Sequence, residues 1–172
     1  MSETEAPDRK RLSEQFTCWL KARPWQAAAL AGGGGFLTVG FLAATNSTGS
    51  LPLLMAPFGA SCVLVFGAPA SPLAQPRHVI GGHVLAAVIG LMAAWALGYG
   101  PLGTAIGVGA AIAAMMLTDT LHPPAGANPI IVSLIHADWS FLATPVLAGA
   151  TVIVAMGVAY HRIISLVTYP HR

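Results

Sequence analysis

Two short stretches carry residue types that could hold a small polar solute: Pro57-Phe58-Gly59-Ala60-Ser61 and His122-Pro123-Pro124-Ala125-Gly126-Ala127-Asn128. Each puts proline ahead of glycine, alanine and a short polar side chain within an apolar run. Proline is well tolerated where a helix opens, and the first turn of a helix leaves backbone N–H groups without partners. In an apolar setting those hydrogens need an acceptor, and the helix dipole favours a negative one. Pro57, Gly59, Ala60 and Ser61, with His122, Pro123, Pro124, Ala125, Gly126 and Asn128, are therefore candidates to bind a small anion, Ser61 and Asn128 adding side-chain donors. A pair of proline kinks, satisfied by water or by neighbouring helices, is the bland reading of the same residues.

Four ionisable residues could gate such a site or move a proton. Asp119 and His122 precede the second stretch, and Asp119 could cap the next turn, pair with His122 or take part in proton coupling. His122, with an ordinary pKa of about 6.5, could relay a proton. His83 could face the site, although a lone histidine in an apolar run is more often a satisfied packing residue. Arg77 stands in the polar Gln75-Pro76-Arg77-His78 stretch and could attract an anion. His78, His83 and His122 lack the ligand spacing of a zinc site. Cys18 and Cys62 suggest neither a metal site nor a disulfide, and no cofactor is expected.

The composition dictates what must position these residues. Of 172 residues 55% are hydrophobic and 8% charged, against roughly 25% charged in a soluble domain. That balance implies an all-α membrane protein and excludes a nucleic-acid partner. Residues 1–24 read as a polar tail, with Leu12, Phe16, Trp19 and Leu20 spaced for an interfacial helix or a plain linker. Six apolar segments follow, near 25–44, 51–68, 79–99, 102–118, 121–135 and 141–160, and then a short tail over 162–172. The second and fifth are short and contain the candidate stretches. If all six cross with the N-terminus cytoplasmic, all eight Lys and Arg fall on the cytoplasmic side, as the positive-inside rule favours. The fifth reaches across only if His122–Ala125 is extended. Asp138 and Trp139 then lie in an exterior connection.

An internal repeat supports this division. Pro57 to Ser61 matches Pro124 to Asn128 at an offset of 67, and the same offset sets Gly40 over Gly107 and Gly82 over Gly149. Repeats of about 25–99 and 102–161, with three crossings each, must be inverted relative to one another, so the two half-helices would meet near the membrane midplane. Glycines such as Gly32 to Gly35, Gly90 and Gly103 suit close helix packing and a homo-oligomer.

Thr118 to Ala127 resembles the signature of the HPP family of membrane proteins. Pro57 to Ser61, Phe66 to Pro69, Ser71 to Arg77 and Gly81-Gly82-His83 resemble it equally. Residue 78 is His where many members are expected to carry Asn. The family is usually described with four transmembrane helices, at odds with six crossings unless the broken segments escape hydropathy. Plastid and cyanobacterial members are associated with nitrite, so the resemblance implies a nitrite-like anion transporter or channel in the bacterial inner membrane. Two other classes stay open: a membrane-embedded enzyme using His122 and Asp119, and a structural or regulatory membrane subunit. An enzyme is not expected, since no nucleophile, metal set or cofactor motif accompanies that pair.

Overall fold

The computed structural model describes residues 24–47 and 53–171, and all regular structure among them is helical. The expected interfacial helix around Leu12 to Leu20 lies outside the described residues. Among the described residues six α-helices run in order: α1 Pro24–Ser47, α2 Ala56–Cys62, α3 Pro76–Leu97, α4 Pro101–Leu117, α5 Asn128–Ile135 and α6 Ala148–Tyr160. Wider π-type turns extend α2 over Val63–Gly67 and flank α6 over Leu142–Leu147 and His161–Ser165, while tighter 3-10 turns cover Pro72–Ala74 and Pro123–Ala127.

Most of the prolines begin helices rather than break them. Proline occupies the first or second position of α2, α3, α4, α5 and both 3-10 turns, where its fixed φ fits and its missing N–H costs nothing. This corrects two expectations. Only His122 is extended ahead of Pro123 (φ −134°, ψ 99°), and the turn is already wound from Pro123 onward. The real break lies in the sixth segment, which the sequence presented as an ordinary span. There Pro145 forces Thr144 out of the helix (φ −137°, ψ 126°), as proline does to the residue before it.

Three helical stretches are long and apolar enough to cross a membrane, Pro24–Ser47, Pro76–Leu97 and Leu142–Ser165; Ala56–Gly67, Pro101–Leu117 and Pro123–Ile135 are shorter apolar helices. The outer surface is apolar too. Trp95 and Leu117 are 85% and 88% exposed, and Phe36, Val63, Leu134 and Ile163 also face outward. Contiguous apolar surface on this scale needs lipid rather than water around it.

Contacts between chain segments define two ends. At one, Tyr160 donates to the Leu30 carbonyl at 2.8 Å, Tyr169 to that of Ala74 at 2.9 Å, and Arg77 to that of Thr118 at 2.8 Å. At the other, Tyr99 donates to the Ala137 carbonyl at 3.2 Å and accepts at its own from Ser133 at 2.7 Å. Arg77 and Arg162 belong to the first end and Asp138 to the second. Asp138 accepts from the amide and the hydroxyl of Ser140, and those bonds hold its carboxyl below the usual carboxylate range.

α3 is the central helix. Val79, Gly82, His83, Ala86, Ala87, Gly90, Leu91 and Ala94 form its buried stripe, the three- and four-residue spacing of one helical face. α3 packs on α4 and α5, α6 packs on α1 and α2, and α3 and α6 also pack on each other. The glycines follow the same exchange. A Cβ on Gly82 would come within 2.8 Å of the Thr120 carbonyl, and one on Gly149 within 2.9 Å of the Leu53 carbonyl. Thr120 lies 67 residues after Leu53, as Gly149 does after Gly82. Gly90 meets Pro129, and its counterpart Gly157 meets Val65. The third helix of each sequence repeat thus presents glycine to the proline-led segment of the other.

These approaches make a steric prediction. Gly82→Ala and Gly149→Ala push a methyl group against backbone oxygen and should each destabilise by about 1–3 kcal/mol. Gly109→Ala enters open space on α4 and should be neutral or stabilising by up to about 1 kcal/mol. Thermal melting in detergent checks the order; equal behaviour of Gly82→Ala and Gly109→Ala would refute the close approach.

Candidate functional site

The polar candidates on α2, α3 and α5 meet inside the bundle. Ser61, His83, His122 and Asn128 are all fully buried. The Ser61 hydroxyl is the hub, 2.8 Å from His83 Nε2 and 2.9 Å from His122 Nε2. It also stands 3.3 Å from the Pro57 carbonyl one turn back on α2. His122 Nδ1 reaches the Leu73 carbonyl at 2.8 Å, and His83 Nδ1 faces Asn128 Oδ1 at 3.3 Å. Asn128 Nδ2 donates to the His83 main-chain carbonyl at 2.8 Å. Four side chains from three parts of the chain are linked into one hydrogen-bonded row.

Local structure aims each member. Pro57 near the start of α2 sets the helix register, so Ser61 and Pro57 face inward together while Gly59 and Ala60 face out. Proline after His122 keeps that residue extended and turns its ring toward Ser61. Bare Gly82 lets this stretch approach, since a Cβ there would lie 2.7 Å from His122 Cβ. His78, one turn before Gly82, bonds the Leu121 carbonyl at 3.0 Å and fixes the same stretch from α3. The Leu73 carbonyl is presented by the 3-10 turn that Ser71 caps at Leu73 N, 3.2 Å. Gln75 ties that loop to the carbonyls of Pro69 and Ser71 at 2.9 and 2.8 Å. Phe58 closes the row with an edge contact to His83, ring centroids 5.1 Å apart.

The arrangement differs from the expected one in three respects. Free amides at two half-helix starts are not what converges. Gly59, Ala60 and Ser61 lie a turn into α2, and the amides of Ala125 and Asn128 are taken by the carbonyls of His122 and Ala125. Pro124 and Ala125 are buried beside the row and Gly126 is half-buried, while Ala60, Pro123 and Pro124 line an outward groove with Val63 and Leu64. His83 is the eighth of the 22 residues of α3, so at 1.5 Å per residue the cluster sits about 10 Å from that helix's start and about 5 Å short of its middle, displaced toward the Arg77 side.

Asp119 and Arg77 are not members of the cluster. Asp119 Oδ2 pairs with Arg77 at 3.2 Å, both side chains being largely exposed, so the pairing with His122 is not formed. Asp119 ends α4 instead, with φ of 53°. Its amide and that of Thr120 return to Met116 and Met115 at 3.4 and 2.9 Å, the pattern that closes a helix through a left-handed residue. Arg77 puts positive charge on the same carboxyl-terminal end of α4, where the helix dipole favours it. The Leu73 carbonyl and the Phe58 wall had no signal in the sequence, because any residue could supply the first and an apolar ring is ordinary in a span.

An all-helical bundle with an apolar outer surface and a buried polar centre is an integral membrane protein. The family model of the HPP transmembrane region matches residues 20–170, and the chain belongs to that family. It is 35% identical to a transmembrane protein of Dictyostelium discoideum over 128 residues, 70% of this chain and 45% of that protein. A second Dictyostelium discoideum transmembrane protein is 45% identical over 82 residues, 45% of this chain and 26% of its own length. The chain thus spans less than half the length of these curated relatives. No solved structure matches it.

The surface role of Asp119 is testable. Asp119→Asn retains a residue tolerant of positive φ and loses only an exposed ion pair, which is worth at most about 1 kcal/mol. Its melting temperature should fall by no more than about 2–4 °C. Asp119→Val forces a branched side chain into the left-handed region and should fall further; the reverse order would contradict the helix-ending role.

Proposed function

We propose that the protein is a transporter or channel for a small monovalent anion, nitrite first. The observation that carries this reading is the buried row of Ser61, His83, His122 and Asn128. Polar and ionisable groups inside a membrane bundle are costly and as a rule serve a substrate or proton path. Hydroxyl, imidazole and amide donors with no neighbouring carboxylate favour an anion over a cation. The two carboxylates among the described residues, Asp119 and Asp138, are both exposed at the ends of the bundle. The choice of nitrite comes from the family resemblance. Asp119 is bound to Arg77, which leaves an enzyme built on a His122–Asp119 pair without support.

In this reading all six segments cross as two inverted sets of three, with the Arg77 end in the cytoplasm of a bacterial cell and both termini on that side. The exchanged glycine contacts of α3 and α6 support a two-fold relation between the halves. Length allows it: the three non-helical residues 120–122, at most about 3.3 Å each, and the 3-10 turn followed by α5 give a contour of up to about 32 Å for residues 120–135, enough for a hydrocarbon core of about 30 Å. The glycine-rich outer faces would suit a homo-oligomer.

Two experiments test these proposals. Nitrite uptake into proteoliposomes should fall roughly tenfold or more in Asn128→Leu, which removes hydrogen bonds from a buried row. Undiminished uptake by a folded Asn128→Leu protein would defeat the site, and no uptake by wild type would defeat nitrite. For topology, single cysteines replacing exposed Ala70 and Trp139, with Cys18 and Cys62 removed, should label from opposite sides; labelling from one side would contradict six crossings.

A further inference from the structure

The hydrogens of the buried row can be counted. The Leu73 carbonyl at one end only accepts, so His122 Nδ1 must donate to it. At the other end, Asn128 has committed its amide nitrogen to the His83 carbonyl at 2.8 Å. Turning that amide over would set oxygen against oxygen, so Asn128 Oδ1 faces His83 Nδ1, which must donate as well. Both Nε2 atoms then point lone pairs at Ser61 Oγ, at 2.8 and 2.9 Å. One hydroxyl hydrogen cannot serve two acceptors, and the Pro57 carbonyl, a longer contact at 3.3 Å, is a third that competes for it. Four contacts lie between two obligate acceptors, and three neutral groups bring one hydrogen each. Any neutral arrangement, whichever tautomers are chosen, leaves at least one contact of the row between two lone pairs.

One added proton completes the row. With it on His122, Nε2–H donates to Ser61 Oγ and the Ser61 hydrogen goes to His83 Nε2. With it on His83, the direction reverses. Passage from one form to the other moves the His122 proton onto Ser61 and the Ser61 proton onto His83, leaving every other bond unchanged. The charge shifts between rings whose centroids are 5.0 Å apart.

A buried imidazolium also needs a counter-charge. Other titratable or charged groups facing the row from the surrounding elements are few. α3 brings His78, bonded to Leu121, and Arg77 at its exposed start, paired with Asp119 at the end of α4. α1 and α4 carry no ionisable side chain, α2 brings only Cys62, α6 with its following turn brings Tyr160 and His161, held by Leu30 and Val65, and the exposed Arg162, and the C-terminal stretch brings Tyr169, bonded to the Ala74 carbonyl. No carboxylate among the described residues reaches the cluster.

We propose that the Ser61-centred histidine pair is a proton-binding relay that takes up one proton together with one monovalent anion, so that the anion supplies the missing counter-charge and the pair moves as an electroneutral unit. The inference rests on the anion-transport reading and specifies its energy coupling. A carrier of this kind is driven by the proton gradient and is indifferent to membrane potential.

The test uses the full chain in liposomes loaded with a pH-sensitive dye, with nitrite added outside near neutral pH and the potential clamped at several values. Protein-free liposomes correct for leakage of the free acid. Wild type should acidify the lumen by one proton per nitrite at a rate independent of potential. Ser61→Ala should lose proton entry roughly tenfold or more, the worth of a hydrogen bond to a charged group. Nitrite entry without protons, following the potential, would overturn the relay and leave the anion reading standing. Undiminished coupling in Ser61→Ala would overturn it as well. Absence of nitrite entry in wild type would remove both, and the wild-type stoichiometry decides the matter even if Ser61→Ala fails to fold.

Discussion

Within an apolar bundle a buried hydroxyl, a carboxamide and two imidazoles persist only where each finds a hydrogen-bond partner, because there is no water to supply one. That requirement joins parts of the chain distant in sequence. Ser61 on α2 must meet His83 on α3, and both must be close enough to the extended stretch at His122 and the start of α5 at Asn128. The proline-led starts, the capped loop that presents Leu73 and the bare glycine face of α3 all serve that convergence. Removing one partner would leave the others buried and unmatched, the costliest way to lose a hydrogen bond.

Close approach is the second condition, and glycine meets it. Lipid gives no hydrophobic drive between helices, so contact depends on how near backbones can come. α3 turns Gly82 and Gly90 to Thr120 and Pro129, while α6 turns Gly149 and Gly157 to Leu53 and Val65. The mutual exchange means that neither half can position its proline-led segment alone. It also sets the polar row against the wall of the central helix, where a shift of α3 would reach His83 directly.

Much of this was legible in the sequence. Charge depletion and the length of the apolar runs gave a helical membrane protein, and the 67-residue offset picked out Gly82 and Gly149, one of the two glycine pairs that carry the exchanged contacts. Ser61, His122 and Asn128 were recognisable as polar residues in an apolar setting. The proline-led starts were legible too, Pro57 opening α2 and Pro123 a 3-10 turn, but the extended stretch expected over His122–Ala125 keeps only His122 and the break at Pro145 was missed, since a proline reads as a break or as a first turn depending on what precedes it. His83 looked like a packing residue because its partners lie 22 and 45 positions away, beyond any local pattern. Asp119 looked like a partner for His122 from its place three residues before; the left-handed end of α4 instead turns it outward to Arg77.

The central claim is that the buried histidine row is where an anion acts on this protein. Nitrogen NMR of protein labelled at histidine, held in lipid nanodiscs and compared with and without nitrite, tests it most directly. The anion-transport proposal predicts that the ring signals of His83 and His122 move on adding nitrite while those of His136 and His171, outside the row, stay in place. Unchanged His83 and His122 signals under conditions in which nitrite is transported would contradict the account.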